Sequence, residues 1–490
     1  MKICLLNDAF PPVIDGVVNV VQNYAHYLMT QHDAEVIVGT PEYPGGTYDA
    51  YPYPVVAYPS INTTSITNGY RTGYPFTSKP LERLAAFGPD LIHAHSPASA
   101  ALTARLLREE TAAPLVYTYH TKYDIDIRRA VKLRLAANEG IRMMISNIEA
   151  FDEVWVVSEG AGENLRELGF SGDYRVMHNG VDFAKGRVAE QVVSAVTGKY
   201  DLPANVPVFL YVGRLMNYKG LPMLLDALKR LADTGTDFRM VFIGKGPDRQ
   251  FLEEKAKELG LLGRRCLFPG AVYDREELRA WNTRADVFLF PSTFDTNGLV
   301  VREAAACGLA SLLIEGSCAA EGITDGENGF LVKETAEDVA RRLSVLSRNL
   351  PLLRKTGEHA MDEIYLSWET CVAEAYERYQ FLVEEKACGR LPEKKKNPAD
   401  LMLSFTAKGM HERERFRAFG RELFADVRES AAGMMENVQE SASDLAGSVQ
   451  ESASGMMENA REGAAEVKEE LRQVREEAQQ IKEKMKNFFQ

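Results

Sequence analysis

No apolar run in this 490-residue chain approaches the ~18 residues a membrane-crossing helix needs, so nothing in the sequence reads as a span. The first residues also lack a signal-peptide pattern. A short strand meets Pro11-Pro12 instead, and a cytosolic setting is expected. Cysteine is sparse. The six, at positions 4, 266, 307, 318, 371 and 388, form no Cys-x-x-Cys pair, which argues against both a disulfide framework and a cysteine zinc site. Basic residues are outnumbered, 57 against 70 acids, for a net charge of −13, so nucleic acid is not expected as a main partner, because a polyanion calls for a basic surface. The 45% hydrophobic share is ordinary, and the length is enough for more than one domain.

Apolar runs of strand length alternate with amphipathic helical patterns from Met1 to about Val181, and again from about Pro207 to Leu350, the pattern of two doubly wound α/β halves. The most informative stretch lies in the second half. The strand Ala285–Phe290 runs into Pro291-Ser292, and helical periodicity resumes at Leu299, which puts Gly298 at a helix start. Asp295 and Glu303 stand eight positions apart around that turn. A helix N-terminus beside a glycine admits a phosphate closely, and flanking acids can bind hydroxyls on either side of it. Phosphate between hydroxyls describes a nucleoside-diphosphate sugar.

Upstream, Val208–Val212 reads as a strand ending in a loop with Gly213, Arg214 and Lys219. An arginine fork and a lysine point charge there suit a diphosphate leaving group. Met1–Leu28 reads as strand, loop with Gly16, then helix, the opening unit of a doubly wound domain. Two further strands end in histidines, at His93 and His95 and at His120.

The stretch Phe290–Gly308 resembles the signature of family 4 of the retaining glycosyltransferases, which have the two-domain GT-B fold and usually carry two glutamates at this spacing. Here the first acid is Asp295, one methylene shorter. The resemblance covers roughly residues 1–388. It implies that Asp295 contacts the transferred sugar, that Glu303 contacts the ribose, and that amides at Gly298 and Leu299 meet the diphosphate together with Gly213, Arg214 and Lys219. Segments around Gly244 and Val272 resemble the places where the family holds the base. His120 matches the position beside the sugar, and Gly16 matches the loop where the backbone approaches donor phosphate or acceptor. Asp15 is a departure, since the family often has a glycine there. The catalytic set implied is His120, Arg214, Lys219 and Asp295. His95 resembles an acceptor-side or packing residue.

No cofactor or metal is expected. Asp124-Ile-Asp126 matches an acid-x-acid metal pattern, but Lys122, Arg128 and Arg129 stand beside it to pair with the acids, and Arg214 and Lys219 already serve the diphosphate.

The expected organisation is an acceptor-side Rossmann-like domain over 1–185 and a nucleotide-sugar domain over 200–366, facing a central cleft. A crossing helix at 367–388 completes the first domain, and a helical tail fills 390–490. Tyr43–Tyr74 reads as an elaborated loop or hairpin. Helices are expected around Asp124–Ala150 and over Val154–Leu168.

The tail falls into eleven-residue units from Ala418 to Arg472, with one apolar stripe, then shifts to a heptad seam through Leu471, Val474, Ala478, Ile481, Met485 and Phe488. Either feature supports self-association. Just before the repeats and into the first of them, Phe405–Arg428 places Phe416, Phe419, Leu423 and Val427 among Arg413, Arg415, Arg417, Arg421 and Arg428, which suits an interfacial helix and a peripheral place on the inner face of the cell membrane. Against membrane contact, Glu429–Glu466 carries eight acids and the single base Arg461.

The variant Thr-Phe-Asp-Thr-Asn-Gly-Leu is similar to the form in relatives that glucosylate diacylglycerol. The expectation is therefore a retaining, metal-independent hexosyltransferase using UDP-glucose and a lipid acceptor such as diacylglycerol. The alternatives are the same fold acting on a soluble or polysaccharide acceptor, and a non-catalytic scaffold assembling through its tail.

Overall fold

The computed structural model describes residues 1–13, 15–64, 70–130, 134–392 and 394. The tail expected beyond them, with its repeats, seam and basic aromatic segment, lies outside the described residues.

Seven parallel strands make the first sheet, in the spatial order Val55–Tyr58, Glu35–Pro41, Lys2–Leu6, Leu91–Ala94, Leu115–Tyr119, Glu153–Val156, Arg175–Val176. The second sheet has six, in the order Cys266–Gly270, Arg239–Ile243, Val208–Val212, Val287–Phe290, Ser311–Ile314, Phe330–Val332. In both, the chain winds outward from its first strand and then reverses to the other side, the doubly wound topology. The central strands are buried along almost their whole length because helices cover both faces, which is why they read as continuous apolar runs and not as alternating ones.

Helix Gly16–His32 begins on Asp15, whose carboxylate accepts the Val18 amide at 2.7 Å. The departure from the family's glycine is thus a helix N-cap. Helix Trp368–Ala387 buries Trp368, Cys371, Val372, Ala375, Tyr379 and Leu382 in a core shared with Leu5, Val20, Val21 and Tyr24 of the first half. Its entry is tied to the exit of the first half, where the Val181 amide donates to the Leu366 carbonyl at 2.9 Å. No helix among the described residues is long and apolar enough to cross a membrane.

Two local expectations are corrected. The helix expected over Val154–Leu168 occupies only Glu159–Glu167, because Val154-Trp155-Val156 is a buried β-branched and aromatic run that joins the sheet. The helical stretch after Tyr123 is two helices, Tyr123–Ala130 and Arg134–Glu149. Within Tyr43–Tyr74, Val55–Tyr58 becomes a parallel edge strand, and Ser60–Ile61 pairs antiparallel with Thr72–Gly73.

Candidate active site

Each sheet reverses its winding between its first and fourth strands in sequence, leaving a crevice at their carboxyl ends. In the second sheet those ends are Val212 and Phe290, so the loops carrying Lys219 and Asp295 emerge side by side. Lys219 Nζ lies 2.5 Å from Asp295 Oδ1 and above the Phe290 ring at 5.7 Å. Lys219 is 5% exposed. Asp295 Oδ2 and Asn297 Nδ2 are buried without a hydrogen-bond partner among the described residues. Each such atom calls for a partner, and a ligand entering between these loops could supply one.

Gly298 caps helix Leu299–Ala306 with φ 62°, and a Cβ there would stand 2.8 Å from Ala319 Cβ. Both conditions require glycine. Within the helix, Glu303 accepts from Arg275 Nη2 at 2.6 Å, and the same guanidinium pairs with Asp182 and lies over the Phe183 ring at 4.3 Å. Burial pushes the Glu303 carboxyl up, opposed by Arg275; burial works against the charge of Arg275, yet Glu303 and Asp182 raise its pKa overall.

Gly213 and Gly244 meet backbone to backbone. A Cβ on Gly244 would fall 1.9 Å from the Gly213 carbonyl oxygen, so these two loops close on each other only with glycine at 244. Arg214 beside them is exposed, and pairs with no carboxylate among the described residues. Val272 packs half-buried on the edge of the second core.

Facing this is the first half. Gly16 is exposed, with nothing within 4 Å of an added Cβ, so the start of its helix is open. Asp15 accepts from Tyr70 OH at 2.8 Å. Asp8 receives Ser99 Oγ and the amides of Ala98 and Ala100 at 3.1 and 2.7 Å, which caps helix Ser99–Thr111.

His120 is buried, and its carbonyl accepts from Thr296 Oγ1 at 2.5 Å. Thr296 follows Asp295, so one residue joins the two halves at the site. Ser158 Oγ donates to the Thr296 carbonyl at 2.5 Å, and the Glu321 carboxylate accepts the amides of Glu159 and Gly160 at 2.8 and 2.7 Å. An acid on a helix N-terminus is electrostatically favoured.

The sequence reading did not single out Ser158, Thr296, Glu321, Arg275 or Asp182. Ser158 alone carried a local signal, as a serine before a helical pattern. The others depend on pairings far apart in sequence. Asp124 and Asp126 lie on helix Tyr123–Ala130.

A fold of two Rossmann-like sheets with cations and acids at the switch point defines a class, the GT-B glycosyltransferases. The family model described as Glycosyltransferase Family 4 matches residues 14–185, and that described as Glycosyl transferases group 1 matches residues 195–362. Together they take in more than half of the chain, which belongs to family 4 of the GT-B glycosyltransferases.

Among similar proteins, the sulfoquinovosyl transferase of Arabidopsis thaliana is 28% identical over 372 residues, 71% of this chain and 67% of its own. The alpha-monoglucosyldiacylglycerol synthase of Acholeplasma laidlawii is 24% identical over 376 residues, 74% of this chain and 92% of its own. HepE of Anabaena, solved in complex with UDP, matches at TM-score 0.62 and 18% identity, over 78% of this chain and 100% of its own. The sucrose-phosphate synthase of Thermosynechococcus elongatus matches at 0.63 and 20%, over 78% and 99%. At these identities the structural likeness speaks to the fold.

Proposed function

We propose that this glycosyltransferase moves glucose from UDP-glucose to a membrane lipid such as diacylglycerol, with retention at the anomeric carbon. The observation that carries the donor half is the Lys219–Asp295 pair beside the Gly298 helix start: a cation for diphosphate, an acid for sugar hydroxyls and open amides, within one loop system.

In this reading the second half is the donor side. Arg214, Lys219 and the amides of Gly298 and Leu299 neutralise the diphosphate. Asp295 and His120 hold the sugar, Glu303 holds the ribose, the Gly213 loop borders the diphosphate, and the Gly244 and Val272 loops border the base. Gly16, at the open helix start, lets the first half approach. Donor binding exchanges part of the Lys219–Asp295 and Arg275–Glu303 pairing for hydroxyl contacts.

In the reaction the C1–O bond to the diphosphate breaks, a diphosphate oxygen takes the acceptor hydroxyl proton, and the acceptor oxygen bonds C1 from the same face. No side-chain base is needed. The residues act by stabilising charge on the leaving group and by orientation.

The lipid half rests on the relatives whose names specify diacylglycerol and on the Thr293–Leu299 variant. The basic aromatic segment at Arg413–Arg428 would then hold the enzyme on the surface where its acceptor lies. Nucleotide release by the full-length protein, from UDP-glucose, UDP-galactose or GDP-mannose, with and without diacylglycerol liposomes, tests this. Release from UDP-glucose only with liposomes is expected. Release indifferent to liposomes moves the assignment to a soluble acceptor, and a preference for another nucleotide sugar moves the donor.

A further inference from the structure

Three histidines stand behind the cleft wall. His93 and His95 are fully buried, and His120 is 6% exposed. His93 is saturated: Nδ1 bonds Tyr379 OH at 2.5 Å and Nε2 bonds Thr118 Oγ1 at 2.7 Å. His95 Nδ1 and His120 Nε2 share a hydrogen bond of 3.0 Å, their rings stacked at 5.3 Å and 21°. One nitrogen of His95 is left over. Its Nε2 is buried and has no partner.

Burial keeps all three rings neutral, lowering His120 to about 3 and the other two well below the usual range. Each ring therefore carries a single N–H. The His95–His120 bond needs a proton on one side and a lone pair on the other. Were His120 to donate from Nε2, His95 would have to carry its proton on Nε2, an orphaned N–H in the core at a cost of about 1–3 kcal/mol. With His95 donating from Nδ1, only a lone pair is left unmatched. Buried unpaired acceptors are better tolerated than buried unpaired N–H groups. The proton of His120 then resides on Nδ1, the ring nitrogen that His95 does not occupy.

We propose that His95 is a positioning residue that fixes His120 as its Nδ1–H tautomer, so that His120 offers the transferred sugar a neutral hydrogen-bond donor and no lone pair. The sugar in this statement rests on the transferase reading; the tautomer does not. His120 in this state cannot take a proton from the acceptor. It can donate to a hydroxyl oxygen of the sugar and so fix the sugar's orientation, and it needs no reorganisation to do so.

The test is a two-bond proton–nitrogen correlation spectrum of the full-length protein labelled with nitrogen-15 histidine, at about pH 7.5, where an unperturbed histidine is already neutral. His120 is assigned by the peaks missing from His120→Gln. The Nδ1–H pattern is expected for wild type and for His95→Asn, whose amide N–H takes the place of Nδ1–H. In His95→Leu the pattern should move toward Nε2–H. An Nε2–H pattern for wild-type His120, or an unchanged one in His95→Leu, overturns the proposal.

In turnover, His95→Asn should keep kcat within about threefold while His95→Leu loses about tenfold or more, with little change in donor KM. Equal losses in both would reduce His95 to packing and also overturn it. If His95→Leu does not fold, the wild-type spectrum decides alone. The spectrum requires no turnover, so an inactive wild type with the expected tautomer would condemn the transferase reading and leave this one standing.

Discussion

Lys219 Nζ and Asp295 Oδ1, 76 residues apart in sequence, lie 2.5 Å apart at the carboxyl ends of adjacent strands. The pair holds the lysine proposed to meet the diphosphate in place through the acid proposed to meet the sugar, so the two proposed roles are coupled before any substrate arrives. A lysine this buried requires a counter-charge.

Removing the lysine should therefore be felt twice. Lys219→Met leaves the Asp295 carboxylate without its cation, and a loss of about 1–3 kcal/mol in denaturant stability is expected. Nucleotide release should fall by about two orders of magnitude or more. Adding Asp295→Asn should recover most of the stability and none of the activity. A double variant as unstable as the single one would show that the two side chains are not energetically coupled.

Arg214 should separate the two effects. It is exposed and unpaired by any carboxylate among the described residues, so Arg214→Ala should leave the melting temperature nearly unchanged while kcat drops about a hundredfold or more. A near-normal rate would mean that the diphosphate lies elsewhere. Because protein cations are assigned to the leaving group, EDTA should leave wild-type turnover intact, and loss of activity on chelation would overturn the metal-independent assignment.

The histidines make stability depend on pH with a definite sign. Burial lowers the folded pKa of His93, His95 and His120 below the ordinary 6.5. The unfolded chain thus binds more protons below that value. Their contribution is complete above pH 6.5 and is lost as pH falls toward the folded value, about 3 for His120. Each ring removes up to about 1.4 kcal/mol per pH unit in that window. Urea titrations between about pH 6.5 and 5.5 should show the decline, and in His95→Asn the slope should be shallower by roughly one proton. An identical slope in the variant would show that His95 is not held neutral.

The tail assignment is open to a direct experiment. Protein ending at Arg390 should lose flotation with anionic liposomes that the full chain retains, because Arg413–Arg428 supplies the basic aromatic surface. Undiminished flotation would remove the tail from membrane contact and favour assembly as its role.

Much of the architecture was legible because it is written locally. Apolar strand runs alternating with amphipathic helices specify doubly wound halves, and Gly298 between a strand end and a helical period marks a helix start whatever the rest of the chain does. Val154-Trp155-Val156 reads as helix from sequence and forms a strand, because a short apolar run suits either state and its neighbours in the sheet decide. Asp15 looked like a missing glycine until the Val18 amide showed it to be a cap.

The residue types at the site, with their order along the chain, were determined by sequence: Gly213, Arg214, Lys219, Asp295, Gly298 and Glu303. Which of them pair was decided only by the tertiary structure. Lys219 meets Asp295, Arg275 bridges Glu303 to Asp182, and Thr296 reaches the His120 carbonyl because strand order puts their loops at one edge. Periodicity reports which face of an element is buried. It carries no information about which distant loop lies opposite, since that depends on the winding of two sheets, and the His95–His120 contact exists only through that winding.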